Sequence, residues 1–421
     1  MKVAVSPCTL KGTVTAPPSK SAGHRSLICA ALCDRPTAVN NFGESNDMTA
    51  TADALTALGA TVTRDGMTVT VTPVKRNNKN ITIDFNESGS TARFMIPVAA
   101  ALGAENITFT GRGRLPERPF DTLVEALRQN GVTCSSDKLP MTVSGQLKAG
   151  HFELPGNISS QYISGLLLAL SIVEGDSEIV LTSELQSRDY VLMTVNELRA
   201  FGAEIGIEND RFTIKGRPSL TATHRTVEGD WSQAAFHLAA GAIGGDITVK
   251  GVSLDTLQGD SAIVDLLREF GADITVTDDG INVKRSQLHG ITIDASQIPD
   301  LVPILAVTAA FAEGTTVITN AERLRIKESD RLYETAVRLK AFGINVTETA
   351  DGLKIVGGKP HGAKITSAND HRIVMAFTVM AANSNGNSTI DGAEAINKSY
   401  PLFFEDISSL GGEYNVICDR Q

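Results

Sequence analysis

Cysteine is scarce in this 421-residue sequence, and the five present (Cys8, Cys29, Cys33, Cys134 and Cys418) are odd in number and scattered. That excludes a disulfide framework. The one close pair, Cys29 and Cys33, lies inside an apolar stretch with no metal-type spacing, so all five are expected as buried reduced thiols. No apolar run approaches the roughly 20 residues of a membrane span. Met1 to Gly12 alternate like a strand, with no basic segment ahead of an apolar one, so no signal peptide is expected. Positive charge is in deficit as well: 38 Lys and Arg against 48 Asp and Glu leave a net charge of −10. This argues against a nucleic-acid or membrane partner. Two glycine-bearing stretches fail as nucleotide loops, since Gly352 to Pro360 has no Gly-Lys-Ser/Thr and Gly111-Arg112-Gly113 lacks a third glycine. A composition of 42% hydrophobic and 20% charged residues fits a folded, soluble, cytoplasmic protein large enough for at least two cores.

What the sequence does contain is a repeat. Leu198-Arg199-Ala200-Phe201-Gly202-Ala203-Glu204-Ile205 returns as Leu267-Arg268-Glu269-Phe270-Gly271-Ala272-Asp273-Ile274 and as Leu339-Lys340-Ala341-Phe342-Gly343-Ile344-Asn345-Val346. Weaker copies surround Gly59, Gly131 and Gly411. The glycines recur at roughly 70 residues, so six units fill the chain. Each phrase reads as the last turn of an amphipathic helix, a glycine in the left-handed cap and then a strand.

About forty residues before each glycine, a polar loop opens a very apolar helical stretch. These loops are Ser19-Lys20-Ser21, Glu87 to Thr91, Ser159-Ser160-Gln161, Gly229 to Ser232, Ile298-Pro299-Asp300 and Asn369 to Arg372. Six helix N-termini are expected there. The second unit reads as strand 81–85, helix 92–102, strand 107–110, helix 120–130 and strands 132–135 and 140–143. The order βαβαββ, repeated six times, predicts the α/β class. The first helix of each unit is apolar nearly all round, as in Ser164 to Ile172, so it must be buried on most faces. Buried helices inside sheets suggest a helix-centred domain, and two domains of three units each would turn six N-termini, each an anion site, toward one cleft.

The cations gather in these loops. Lys20 with Arg25, Arg93, Arg112 with Arg114 and Arg118, Arg323 with Arg325, Lys327 and Arg331, Arg372, and Lys398 all lie in or beside them. An acidic protein with cations at its loops points to a small anionic ligand. Arg112 to Pro119 places three guanidinium forks in a rigid turn, suited to carboxylate or phosphate. Helical spacing would put Lys327 and Arg331 on one face, with Glu328 beside them. Ser159-Ser160-Gln161 alone reads equally well as a capping pair, and His371 alone as a capping or core histidine.

Taken together, Pro18-Ser19-Lys20-Ser21 with Arg25, Leu115-Pro116-Glu117-Arg118-Pro119, Ser159-Ser160-Gln161, Ile326 to Leu332 and Asn369 to Ala376 closely resemble the 5-enolpyruvylshikimate-3-phosphate synthase family. The resemblance spans Pro18 to Pro401. It implies an inverted, helix-centred α/β barrel fold of two domains, each three βαβαββ units about a pseudo-threefold axis. The chain would cross between domains near Pro18 and Glu228, giving one discontinuous domain of 1–18 and 228–421 and another of 19–227. It also implies the transfer of an enolpyruvyl group from phosphoenolpyruvate to shikimate 3-phosphate, in a cytoplasmic monomer with no metal or organic cofactor.

Carried over by position, the resemblance makes Lys20, Gly89, Arg118, Gln161, Arg331, Arg372 and Lys398 phosphoenolpyruvate ligands. Lys20, Ser21, Arg25, Ser159, Ser160, Gln161, Ser187, Tyr190, Asp300 and Lys327 become shikimate 3-phosphate ligands. Asp300 resembles the base on the attacking hydroxyl, with Glu328 and Lys20 as proton-handling groups. Cations split over two domains predict closure around the substrates. Glu87 to Arg93 departs from the family's Asn-Ala-Gly-Thr-Ala-Met-Arg pattern, and a carboxylate at Glu87 is unexpected beside an anion. Two alternatives stand beside this reading. One is a UDP-N-acetylglucosamine enolpyruvyl transferase, which would carry a cysteine between Arg112 and Pro119; the other is a non-catalytic anion-binding protein on the same scaffold.

Overall fold

The computed structural model describes residues 1–216, 220–221 and 224–417. The chain forms two compact units, one of Met1–Pro17 with Gly229–Gln421 and the other of Pro18–Glu228. Each encloses its own apolar core.

The expected βαβαββ order recurs, with one sheet order throughout. In the third repeat His151–Leu154 runs parallel to Ser177–Leu181. That strand is antiparallel to Arg211–Ile214, which pairs with Ile205–Glu208. Three of the units draw a strand from elsewhere in the chain. The first repeat takes its leading strand from His224–Thr226, parallel to Thr37–Asn40. Lys11–Thr15 fills that place for the fourth repeat, beside Asp246–Lys250. Lys2–Val5 completes the sixth, between Ser388–Asp391 and Tyr414–Ile417. Strand pairing is made by backbone groups irrespective of their sequence distance, so periodicity alone does not reveal these exchanges.

The repeating glycines all take the left-handed cap, with φ of +87° at Gly59, +91° at Gly131, +87° at Gly202, +98° at Gly271, +83° at Gly343 and +87° at Gly411. The first helices of the repeats are Lys20–Ala31, Gly89–Ala101, Ser160–Leu170, Trp231–Gly244, Val302–Ala310 and His371–Asn383. They are buried almost throughout, as their composition requires. Ser19, Ser88, Asp230 and Asp370 cap four of them, accepting from the backbone N–H of Ala22, Thr91, Gln233 and Arg372. Ser159 stands at the third cap position without a side-chain cap bond. The fifth helix begins later than expected. A 3-10 turn, Pro299–Leu301, precedes it, and Pro303 occupies its first turn, where a missing N–H costs no hydrogen bond.

Cys29, Cys33 and Cys134 are buried thiols, whereas Cys8 is only half-buried; Cys418 lies outside the described residues. Burial pushes the Cys29 thiol well above its ordinary pKa. Among the described residues no helix is long and apolar enough to cross a membrane.

Helices Gly89–Ala101 and Ser160–Leu170 pack closely at Gly165, where an added Cβ would stand 2.2 Å from the Arg93 carbonyl oxygen. On helix propensity alone Gly165→Ala would stabilise by about 1 kcal/mol. The contact with rigid backbone reverses the sign, and a loss of about 1–3 kcal/mol is expected from overpacking. A urea midpoint that rises in Gly165→Ala would contradict this packing.

Candidate active site

In the unit Pro18–Glu228 the polar groups collect at the N-termini of the three buried helices. Lys20, in the first turn of Lys20–Ala31, places Nζ 2.6 Å from Asp47 Oδ2. One turn on, Arg25 is 3% exposed. Its Nε donates to Thr194 Oγ1 at 2.7 Å, and its other nitrogens donate to the carbonyls of Ser21 at 2.6 Å and Tyr190 at 2.7 Å. Burial lowers the Arg25 pKa to about 10. Arg93 lies over Phe120 at 5.3 Å and Tyr162 at 5.6 Å. It donates to Gly89 O at 3.2 Å and to Gln161 Oε1 at 3.4 Å, while Gln161 Nε2 donates to Ser90 Oγ at 2.8 Å. Gly89 is needed here. A Cβ at this position would meet Arg118 Nη1 at 2.5 Å and Arg93 Nη1 at 2.6 Å, displacing both guanidinium groups from the helix end.

The arginine-rich turn separates into buried and solvated members. Arg118 is 8% exposed, but Arg112 pairs outward with Asp84 and Arg114 lies exposed beside Glu117. Glu87 also finds its explanation: a Cβ on Gly113, where φ is +56°, would fall 2.5 Å from Glu87 Oε2. The carboxylate therefore packs under the turn that carries Arg118. Ser160 is buried, Ser159 is half-buried at the helix cap and Ser187 caps Arg188–Ala200 with a left-handed φ of +53°.

The other unit is built around Arg331, whose side chain is 2% exposed. It donates from Nη1 to Asp300 Oδ1 at 2.8 Å, from Nη2 to Glu328 Oε2 at 2.7 Å and from Nε to Asp370 Oδ2 at 2.8 Å. Arg372 donates to Asp300 through its backbone carbonyl and Oδ2, both at 3.2 Å, and Lys327 Nζ stands 3.7 Å from Oδ1. Burial alone would raise the Asp300 carboxyl, but Arg372, Lys327 and Arg331 outweigh it and hold the group well below the ordinary carboxylate range. Burial pushes Lys327 down to about 8. Lys398 Nζ donates to the Asn369 carbonyl at 2.6 Å.

The expected helical face of Lys327 and Arg331 is not formed. A 3-10 turn, Glu322–Ile326, ends before Lys327, and the helix begins at Arg331 with Asp330 as its cap. The two cations converge because both reach Asp300. Arg325 points away, to Glu348 and Asp330. Sequence reasoning also missed Asp47, Asp370 and Thr194. Asp370 was visible only as a helix cap, yet it also accepts from Ser329 Oγ at 2.9 Å. Asp47 sits in the first turn of Asn46–Ala57, behind its cap Ser45, and a capping pattern there was the available signal. Among the described residues no cluster of His, Cys, Asp and Glu could hold a metal ion.

The sequence model of EPSP synthase (3-phosphoshikimate 1-carboxyvinyltransferase) matches residues 6–407. A 3-phosphoshikimate 1-carboxyvinyltransferase of Clostridium acetobutylicum is 44% identical over 98% of this chain and 97% of its own length. One from Clostridium novyi is 42% identical over 97% of each. The structure of an EPSP synthase from Acinetobacter baumannii superposes with a TM-score of 0.82 at 30% identity, covering 99% of this chain and 100% of that one. An enolpyruvyl transferase from Streptomyces tendae, at 20% identity and a TM-score of 0.80 over 98% of each chain, shares the fold. The six-repeat, two-domain α/β architecture and the full-length similarity together place this chain in the EPSP synthase family.

Proposed function

We propose that this chain transfers the enolpyruvyl group of phosphoenolpyruvate to the 5-hydroxyl of shikimate 3-phosphate, releasing inorganic phosphate, in the shikimate route to chorismate and the aromatic amino acids. The observation that carries the reading is Asp300, a carboxylate held ionised by Arg372, Lys327 and Arg331. Such a group can accept a proton where anions are also bound. Arg112 to Pro119 carries Arg118 and no cysteine, which favours shikimate 3-phosphate over a UDP-sugar acceptor.

The acceptor is assigned Lys20, Ser21, Arg25, Ser159, Ser160, Gln161, Ser187, Tyr190, Asp300 and Lys327. The donor is assigned Lys20, Gly89, Arg118, Gln161, Arg331, Arg372 and Lys398. Asp300 takes the 5-hydroxyl proton as that oxygen bonds to C2 of the donor. A proton from Glu328 or Lys20 goes to the methylene carbon, giving a tetrahedral adduct. Removing a proton from the new methyl while the C2–O bond to phosphate breaks returns the double bond and expels phosphate. Clamped by three cations, Asp300 is ionised but weakly basic. Donor anions compete for Arg372 and acceptor anions for Lys327, and each cation drawn off raises its basicity as the reaction requires. Arg331, fixed by three carboxylates, organises Asp300 and Glu328 in addition to its assigned contact with the donor.

Phosphate release is expected only when phosphoenolpyruvate and shikimate 3-phosphate are both present. In Asp300→Asn it should slow by at least about 100-fold. Near-normal turnover of this variant would remove the proposed base, and release supported by a UDP-sugar instead would select the alternative transferase.

The Lys327 ammonium, at about 8, is lost as pH rises through that value, and its hold on an anionic acceptor goes with it. The ratio kcat/KM for shikimate 3-phosphate should therefore fall above about pH 8, because this ratio reports groups of the unliganded enzyme. Lys327→Arg should abolish that limb, since a guanidinium stays charged. An unchanged limb in the variant would assign the titration elsewhere.

A further inference from the structure

Arg25, like Arg93, differs from Arg331 and Arg372 in how its charge is held. Among the described residues no carboxylate lies within ion-pair distance of it, and its hydrogen-bond acceptors are the Ser21 and Tyr190 carbonyls and the Thr194 hydroxyl. The guanidinium carbon stands 5.2 Å from the centre of the Phe94 ring. A buried cation whose hydrogen bonds go only to neutral dipoles, with the Glu197 carboxylate acting on it through space rather than in an ion pair, retains more of its attraction for an incoming anion than one paired directly with a carboxylate. Its direction then depends on the neutral groups. The two carbonyls are backbone and set by their helices; Thr194 is the side chain among them. Its hydroxyl accepts from Arg25 Nε and donates to Ser164 Oγ at 2.8 Å or to the Tyr190 carbonyl at 3.1 Å. Thr194 is itself 0% exposed, so it does not meet solvent or ligand.

The same helix, Arg188–Ala200, carries Ser187 at its cap and Tyr190 in its first turn. Three residues beyond Thr194, Glu197 accepts from Ser26 Oγ at 2.7 Å and pairs with Arg225 at 2.6 Å. Bonds from Arg25 and Ser26 thus fix helix Lys20–Ala31 against the helix that carries two other acceptor ligands.

We infer that Thr194 is a positioning residue for shikimate 3-phosphate: it orients the Arg25 cation, which has no ion-pair partner, toward the acceptor's anionic groups without touching the substrate. The inference rests on the acceptor assignment made above. Thr194→Val keeps the shape and removes the acceptor for Nε, leaving Arg25 to tilt toward a new partner. Hydrogen bonds to charged groups are strong enough that the dissociation constant for shikimate 3-phosphate should rise about 10- to 100-fold. The KM for phosphoenolpyruvate should change by less than about 2-fold. Thr194→Ser should restore acceptor binding to near the wild-type value. Ser164→Ala should leave it near the wild-type value, because the hydroxyl can still donate to the Tyr190 carbonyl.

Titration calorimetry and steady-state kinetics with each substrate varied would separate the outcomes. Equal weakening of both substrates in Thr194→Val, or failure of Thr194→Ser to rescue, would reduce Thr194 to a packing role and overturn the inference. Unchanged acceptor binding in Thr194→Val alongside a loss in Arg25→Ala would overturn it while sparing the acceptor assignment. Unchanged acceptor binding in Arg25→Ala would instead overturn the assignment itself.

Discussion

A helix that is apolar on every side can be buried everywhere except at its ends, and this constraint shapes each repeat. Once a sheet and an amphipathic helix enclose it, polar chemistry is confined to its termini. The C-terminal end returns into the sheet. The N-terminal end, with N–H groups that have no partner within the helix and a partial positive charge, is left for anions and for the side chains that manage them. Lys20, Gly89, Ser160 and Arg372 all occupy the first turn of such a helix. Their placement at helix ends follows from the fold of the repeat.

Arg25 and Arg93 are held differently from Arg331 and Arg372. In Pro18–Glu228, Arg25 and Arg93 rest on carbonyls, a hydroxyl, an amide and aromatic faces. In the other unit Arg331 and Arg372 are held by Asp300, with Glu328 and Asp370 also on Arg331. Removing one partner from such a buried pair costs several kcal/mol, so Asp300 and its cations are fixed in place until a competing anion arrives. The neutral supports suit an acceptor held passively, and the carboxylates suit a site where protons must move.

Most of this architecture was legible in the sequence, because it repeats. Glycines such as Gly202, Gly271 and Gly343 mark left-handed caps, which few other residues adopt without strain, and the all-apolar runs admit only buried helices. The exchanged strands Lys2–Val5, Lys11–Thr15 and His224–Thr226 were not legible, since partners hundreds of residues apart leave no local periodicity. Within the site, charged residue types in loops could be read directly. Their pairings could not. Nothing in the spacing distinguishes Arg118, turned inward, from Arg112 and Arg114 beside it, and the supporting hydroxyl of Thr194 resembles any helix-face threonine. The unexpected Glu87 lies against Gly113, a contact visible only when the turn is folded.

The account makes the Asp300 carboxylate depend on its cations, and on their being drawn away by substrate anions. Its most direct test is carbon-13 NMR of protein labelled at the aspartate side-chain carboxyls, with the Asp300 resonance assigned by its loss in Asp300→Asn. Without ligand the resonance should stay in its ionised position down to a pH well below the ordinary carboxylate range. With shikimate 3-phosphate and an anionic, non-reacting donor analogue bound, its titration should move upward. An Asp300 carboxyl that titrates at an ordinary value, or does not respond to the two anions, would contradict the claim that the cations hold it in reserve as the base.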